Sequence, residues 1–160
     1  MTSIEFIQII TGFIGSLGFA MLFNIRGKKL LFAGLGGLFS WTLFVLLEPL
    51  LSSEPIRYFI VATCVSVYSE VLARLLKTPT TTFITTSLIP LIPGGSLYYT
   101  MKNAFEGNIE TFISNGIITL KLAVALALGV VITTAMTNLL LKSIHRIKCF
   151  KNSQNILKSS

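Results

Sequence analysis

Apolar blocks of about 20 residues, separated by short polar connectors, recur along the chain at about 4 to 24, 30 to 51, 56 to 76, 82 to 101 and 117 to 141. A helix rises about 1.5 Å per residue, so each block is long enough to cross a hydrocarbon core of about 30 Å. The pattern predicts an all-α integral membrane protein with five transmembrane helices. Residues 1–150 form a single helical domain, because no connector is long enough to fold separately. The polar segment 151–160, KNSQNILKSS, is predicted to be a disordered cytoplasmic tail.

The fourth block departs from the others at its middle, where residues 89–99 read IPLIPGGSLYY. Pro90 and Pro93 lack an amide N–H, and each ring crowds the carbonyl four residues earlier. Ile89 and Ile92 precede proline and are pushed away from helical torsions. Gly94 and Gly95 add torsional freedom and permit close approach of another group. The pattern predicts a helix broken near mid-depth, with a second half-helix starting around Gly95 to Leu97. Freed backbone groups at that depth are tolerated only where protein, hydroxyls or a water-filled cavity satisfy them, and Thr85, Thr86, Ser87 and Ser96 are near enough to contribute. Broken helices at mid-depth build many transporter sites, and a half-helix N-terminus attracts carboxylate.

Composition agrees with a membrane protein. The chain is 52% hydrophobic and 12% charged, with mean hydropathy +0.79, too little polar surface to cover a soluble core. A net charge of +7 raises the possibility of nucleic acid, but the basic residues lie between apolar blocks and form no basic face. They read as topology signals instead. Arg26, Lys28, Lys29, Arg74, Lys77, Lys142, Arg146, Lys148, Lys151 and Lys158 fall on one side, and Arg57 and Lys102 on the other, beside Glu48, Glu54, Glu106 and Glu110. Cytoplasmic loops hold the basic excess, so the N-terminus is expected outside and the C-terminus in the cytoplasm. The N-terminus, MTSIEFIQIITGF, lacks a basic n-region and a cleavage site, and is read as a retained first span.

Helix packing is predicted from small residues four apart: Gly12, Ser16 and Ala20; Gly36 and Ser40; Ala125 and Gly129. Cys64 and Cys149 lie in an apolar block and a basic tail, so no disulfide or metal site is implied, and His145 has no acidic or thiol partner nearby. No GxSxG, HExxH or glycine-rich phosphate loop is present, so no catalytic residue and no cofactor is expected. Asn24, at the cytoplasmic end of the first span, suits a cap or the lining of an exit, and capping is enough to explain it. Glu70 and Arg74, at i, i+4 near the end of the third block, suit either a self-neutralised pair near the interface or a group for proton coupling. Lys121 snorkels at the outer boundary, or, if its span begins near Phe112, lies deep enough to meet an anion.

The segment KTPTTTFITTSLIPLIPGGSLYYTM, residues 77–101, resembles the signature of the threonine/serine exporter family, in particular its small membrane-only component. Pro79, Phe83, Pro90, Leu91, Pro93, Gly94, Tyr98 and Met101 carry the resemblance, supported by GFAMLFNIRGKKL at 18–30 and the glycine-rich start of the second block up to Trp41. The resemblance implies an exporter of small amino acids, threonine or serine, or of short dicarboxylates such as succinate, in a bacterial inner or cytoplasmic membrane. It also implies a second five-helix subunit of opposite topology with a soluble extension, because this chain is similar only to the family's second half. The orientation read from charge suits such an inverted pair. The expected site for a small carboxylate substrate is Pro90, Pro93, Gly94, Gly95, Ser96 and Tyr98, with Lys121 as a further contact and Glu70 with Arg74 for coupling. A rival reading is a non-transporting membrane scaffold or assembly subunit, in which the proline motif is a docking kink.

Overall fold

The structure is a computed structural model that describes the backbone of residues 3–158 and the side chains of residues 4–140. Its elements are α1 (Ser3–Leu22), α2 (Lys28–Leu47), α3 (Glu54–Leu75), α4 (Thr80–Leu88), a 3-10 turn (Ile89–Leu91), α5 (Gly94–Phe105) and α6 (Ile109–Lys158). Among the described residues, four helices are long and apolar enough to cross a membrane: Ile4–Leu22, Lys28–Leu47, Glu54–Leu75 and Ile109–Leu140. The predicted fourth span, 82–101, is instead distributed over α4, the 3-10 turn and α5, and neither helix reaches the length needed to cross alone. The last apolar helix begins at Ile109, well before the expected 117, because Gly107 at φ +75 ends the preceding helix and Asn108 opens the next. α6 runs on to Lys158, into the segment 151–160 expected to be a disordered tail, and the chain has no glycine or proline after Gly129. His145, Cys149 and the basic side chains from Lys142 onward lie outside the described side chains.

Neighbouring helices pack where side chains are smallest. A Cβ added at Gly37 would meet Ser16 Oγ, one at Gly36 would meet Ser87 Oγ, and one at Gly129 would lie 2.8 Å from Ala62 Cβ and 2.8 Å from the Phe59 carbonyl. These contacts join α2 to α1, α2 to α4, and α6 to α3. Ser16, Ala20 and Ser40 are fully buried and Ala125 nearly so, as the small-residue spacing predicts. Two apolar clusters complete the core. Ala20, Ile25, Ala33, Leu72, Ala73 and Phe83 fill one end, and Tyr58, Val61, Val65, Leu91, Leu122 and Ala125 fill the other. Ile4, Phe6, Ile7, Ile14, Leu22 and Val131 are exposed on the helix surfaces, which suits lipid as the surrounding solvent.

The connectors close with left-handed caps. Asn24, at φ 57, follows α1; its N–H bonds to the Met21 carbonyl (2.9 Å) and the Ile25 N–H to the Ala20 carbonyl (3.0 Å), a Schellman pair. Asn24 is therefore a cap, as expected. Lys77 at φ 49 follows α3 in the same way, with the Thr78 N–H bonded to Ala73 at 2.9 Å.

Candidate functional site

The two prolines act differently. Ile89 keeps helical torsions (φ −52, ψ −47) ahead of Pro90, contrary to the expectation, and the chain there only tightens into the 3-10 turn. Ile92 is extended (φ −61, ψ 124), as its place before Pro93 demands, and this is where helical hydrogen bonding stops. The Ile92 N–H bonds back to Ile89 (3.2 Å) and the Gly94 N–H to Ile92 (2.6 Å), so the break satisfies part of its own backbone. The threonine hydroxyls serve carbonyls of the preceding turn instead: Thr85 donates to Thr81 (2.7 Å) and Thr86 to Thr82 (3.1 Å), while the buried Ser87 hydroxyl has no partner. A hydroxyl inside a helix reaches the i−4 carbonyl most easily, which explains the difference.

α5 restarts at Gly94 with no side-chain cap. The Leu97 N–H makes the first regular bond, to the Pro93 carbonyl at 3.0 Å, while those of Gly95 and Ser96 belong to the opening turn that helix geometry leaves without a carbonyl four residues back. Both residues line a cavity of about 290 Å³ together with Pro90, Ile92, Pro93, Gly94, Trp41, Phe44, Glu48, Glu54, Arg57, Tyr58 and Leu122. Nothing lies within 4 Å of a Cβ built on Gly94 or Gly95, so these glycines leave open space rather than admitting a packed neighbour. Pro90 and Trp41 also border a second cavity of about 240 Å³, with Gln8, Thr11 and Gly12 of α1.

Arg57 is the residue that sequence reasoning missed. Counted there as an outer loop charge, it stands in the first turn of α3, whose start is set by Pro55, and it is only 7% exposed. Its guanidinium lies 3.8 Å from Glu48, 3.9 Å from Glu54 and 4.9 Å from the centre of the Phe44 ring. Nε and Nη1 have no hydrogen-bond partner, and neither has the Trp41 indole N–H in the same wall. Proline at the helix start, in the run EPIR, was the available signal. An Arg with unpartnered donors that lines the same small cavity as a helix N-terminus is chemically equipped to hold a carboxylate.

The other expected site residues are not all brought to this cavity. Tyr98 is 64% exposed and packs edge-on against Tyr99 at a centroid distance of 5.5 Å. Lys121 is exposed and stays outside the cavity lining, although the next residue, Leu122, contributes to it. Glu70 is buried and bonded to Arg74 Nη2 at 3.0 Å, as the i, i+4 spacing predicts. It stands 13 residues beyond Arg57 on α3, about 20 Å along the helix axis.

No curated protein and no solved structure matches the chain significantly. The family described as Threonine/Serine exporter, ThrE, matches residues 8–136, a stretch that takes in most of α1, all of α2 to α5, the charged cavity and most of the apolar length of α6. The chain belongs to the threonine/serine exporter family.

Proposed function

We propose that the chain is a membrane subunit of a secondary exporter for threonine, serine or a related small carboxylate, with its substrate site at the break between α4 and α5. The observation that carries this reading is the placement of buried Arg57 and the opening turn of α5 around one cavity. In this reading α4, the 3-10 turn and α5 together make one broken transmembrane span, the fourth of five along the chain, with the N-terminus outside and the C-terminus in the cytoplasm. Pro90 and Pro93 hold the break open, and the N–H groups of Gly95 and Ser96 face the substrate carboxylate. Glu70, paired with Arg74, is the proposed coupling group. Lys121 and Tyr98, on exposed faces, are left for contacts with a second subunit, whose opposite topology would complete the inverted pair in a bacterial cytoplasmic membrane.

The test is efflux of preloaded radiolabelled serine from cells of the native host carrying variants of this chain. Gly95→Trp fills the open space beside the break and should abolish efflux at normal membrane abundance. Gly95→Ala has room for its methyl group and should retain it. Equal efflux from wild type and Gly95→Trp would remove the cavity from the mechanism, and no dependence of efflux on the chain at all would favour the scaffold reading.

A further inference from the structure

We propose that Arg57, Glu48 and Glu54 form a receptor for both charges of a zwitterionic α-amino acid and so set the selectivity of the cavity; this rests on the exporter reading above. Arg57 takes the α-carboxylate, and the two glutamates take the α-ammonium. Arg57 is 7% exposed, yet Nε and Nη1 donate to nothing, while its acidic neighbours stand at 3.8 and 3.9 Å. Those separations are within Coulomb reach and beyond hydrogen-bonding length. The charge of Arg57 is thus compensated while two of its buried donors, Nε and Nη1, remain unpartnered. Phe44, with its ring centre 4.9 Å from the guanidinium carbon, holds one face of it.

The sign of the charges selects among ligands. One arginine and two glutamates border the cavity, so an incoming group that is anionic at both ends would set its second carboxylate against Glu48 or Glu54. An ammonium beside the carboxylate removes that repulsion. The Glu48 and Glu54 side chains are 62% and 57% exposed, so they are free to swing from Arg57 onto the ammonium when a carboxylate replaces them. A purely structural role, in which Arg57 ties the end of α2 to the start of α3, accounts for the two ion pairs but not for the open donors.

Selectivity separates the two roles, because loss of a structural tie lowers the amount of folded protein without changing the ratio between substrates. In native-host cells, efflux of L-serine, N-acetyl-L-serine and succinate is measured at matched membrane abundance. Wild type should export L-serine at least tenfold faster than the two anions. Arg57→Gln should lose serine export and Arg57→Lys should recover part of it. The double variant Glu48→Gln/Glu54→Gln should lower the preference for L-serine over N-acetyl-L-serine at least tenfold. Wild-type export of succinate or N-acetyl-L-serine at the serine rate, or an unchanged preference in the double variant, would overturn the receptor and leave the exporter reading standing. Export of none of the three by wild type would overturn both.

Discussion

Replacing Gly129 by alanine sets a methyl carbon 2.8 Å from Ala62 Cβ, 2.8 Å from the Phe59 carbonyl oxygen and 3.2 Å from the Thr63 amide nitrogen. Two of these three atoms are backbone of α3, so no side-chain rotation relieves the contact. Restoring an ordinary 3.4 Å separation requires α3 and α6 to part by about 0.6 Å, and a gap of that size forfeits about a quarter of the dispersion energy along the seam. Overpacking of this kind costs about 1–3 kcal/mol, or about 5- to 150-fold in an unfolding equilibrium. Gly116→Ala is the internal control: it lies in the same helix, gains the same helix propensity, and its nearest contact is Thr100 Cγ2 at an ordinary 3.6 Å. The assay is reversible unfolding of the purified full chain in mixed micelles titrated with dodecyl sulfate, followed by far-ultraviolet circular dichroism. Gly129→Ala should be about 1–3 kcal/mol less stable than Gly116→Ala. Equal stability of the two variants would show that the α3–α6 contact is not the close backbone approach described above.

Three other outcomes are expected. Asn24→Val places a branched residue at φ 57 and should cost about 1–2 kcal/mol in the same titration, whereas Asn24→Gly should be neutral or better; equal stabilities would count against the left-handed cap. For the proposed orientation, in a background with Cys64 and Cys149 replaced, a cysteine at Ser52 should react with a membrane-impermeant thiol reagent on intact cells and one at Thr78 should react only after permeabilisation; the reverse pattern would invert the topology. Glu70→Gln should remove the dependence of serine efflux on the proton gradient while leaving serine binding to the purified chain unchanged, and a gradient-dependent variant would take Glu70 out of coupling.

Much of this architecture is legible in the order of residues, because lipid imposes a simple rule. A backbone crossing hydrocarbon must satisfy its own hydrogen bonds, so long apolar runs become helices whatever packs around them. That rule determines α1, α2, α3 and the apolar part of α6, and local proline chemistry determines that the run at 82–101 is interrupted. The helix seams were also readable, since only glycine, alanine and serine let backbones approach closely. Two features escaped it. The effect of each proline depended on context: Ile89 stayed helical before Pro90, and Ile92 did not before Pro93. The lining of the cavity escaped as well, because it joins the end of α2, the first turn of α3 and the start of α5. Arg57 and Ser96 are 39 positions apart along the chain, and no periodicity relates them. Residue order is enough for the apolar helices, their small-residue contacts and an interruption within 82–101. That the interruption between α4 and α5 borders the same cavity as a buried arginine with unpartnered donors is visible only in three dimensions, because burial and hydrogen-bond satisfaction depend on which elements come together in space.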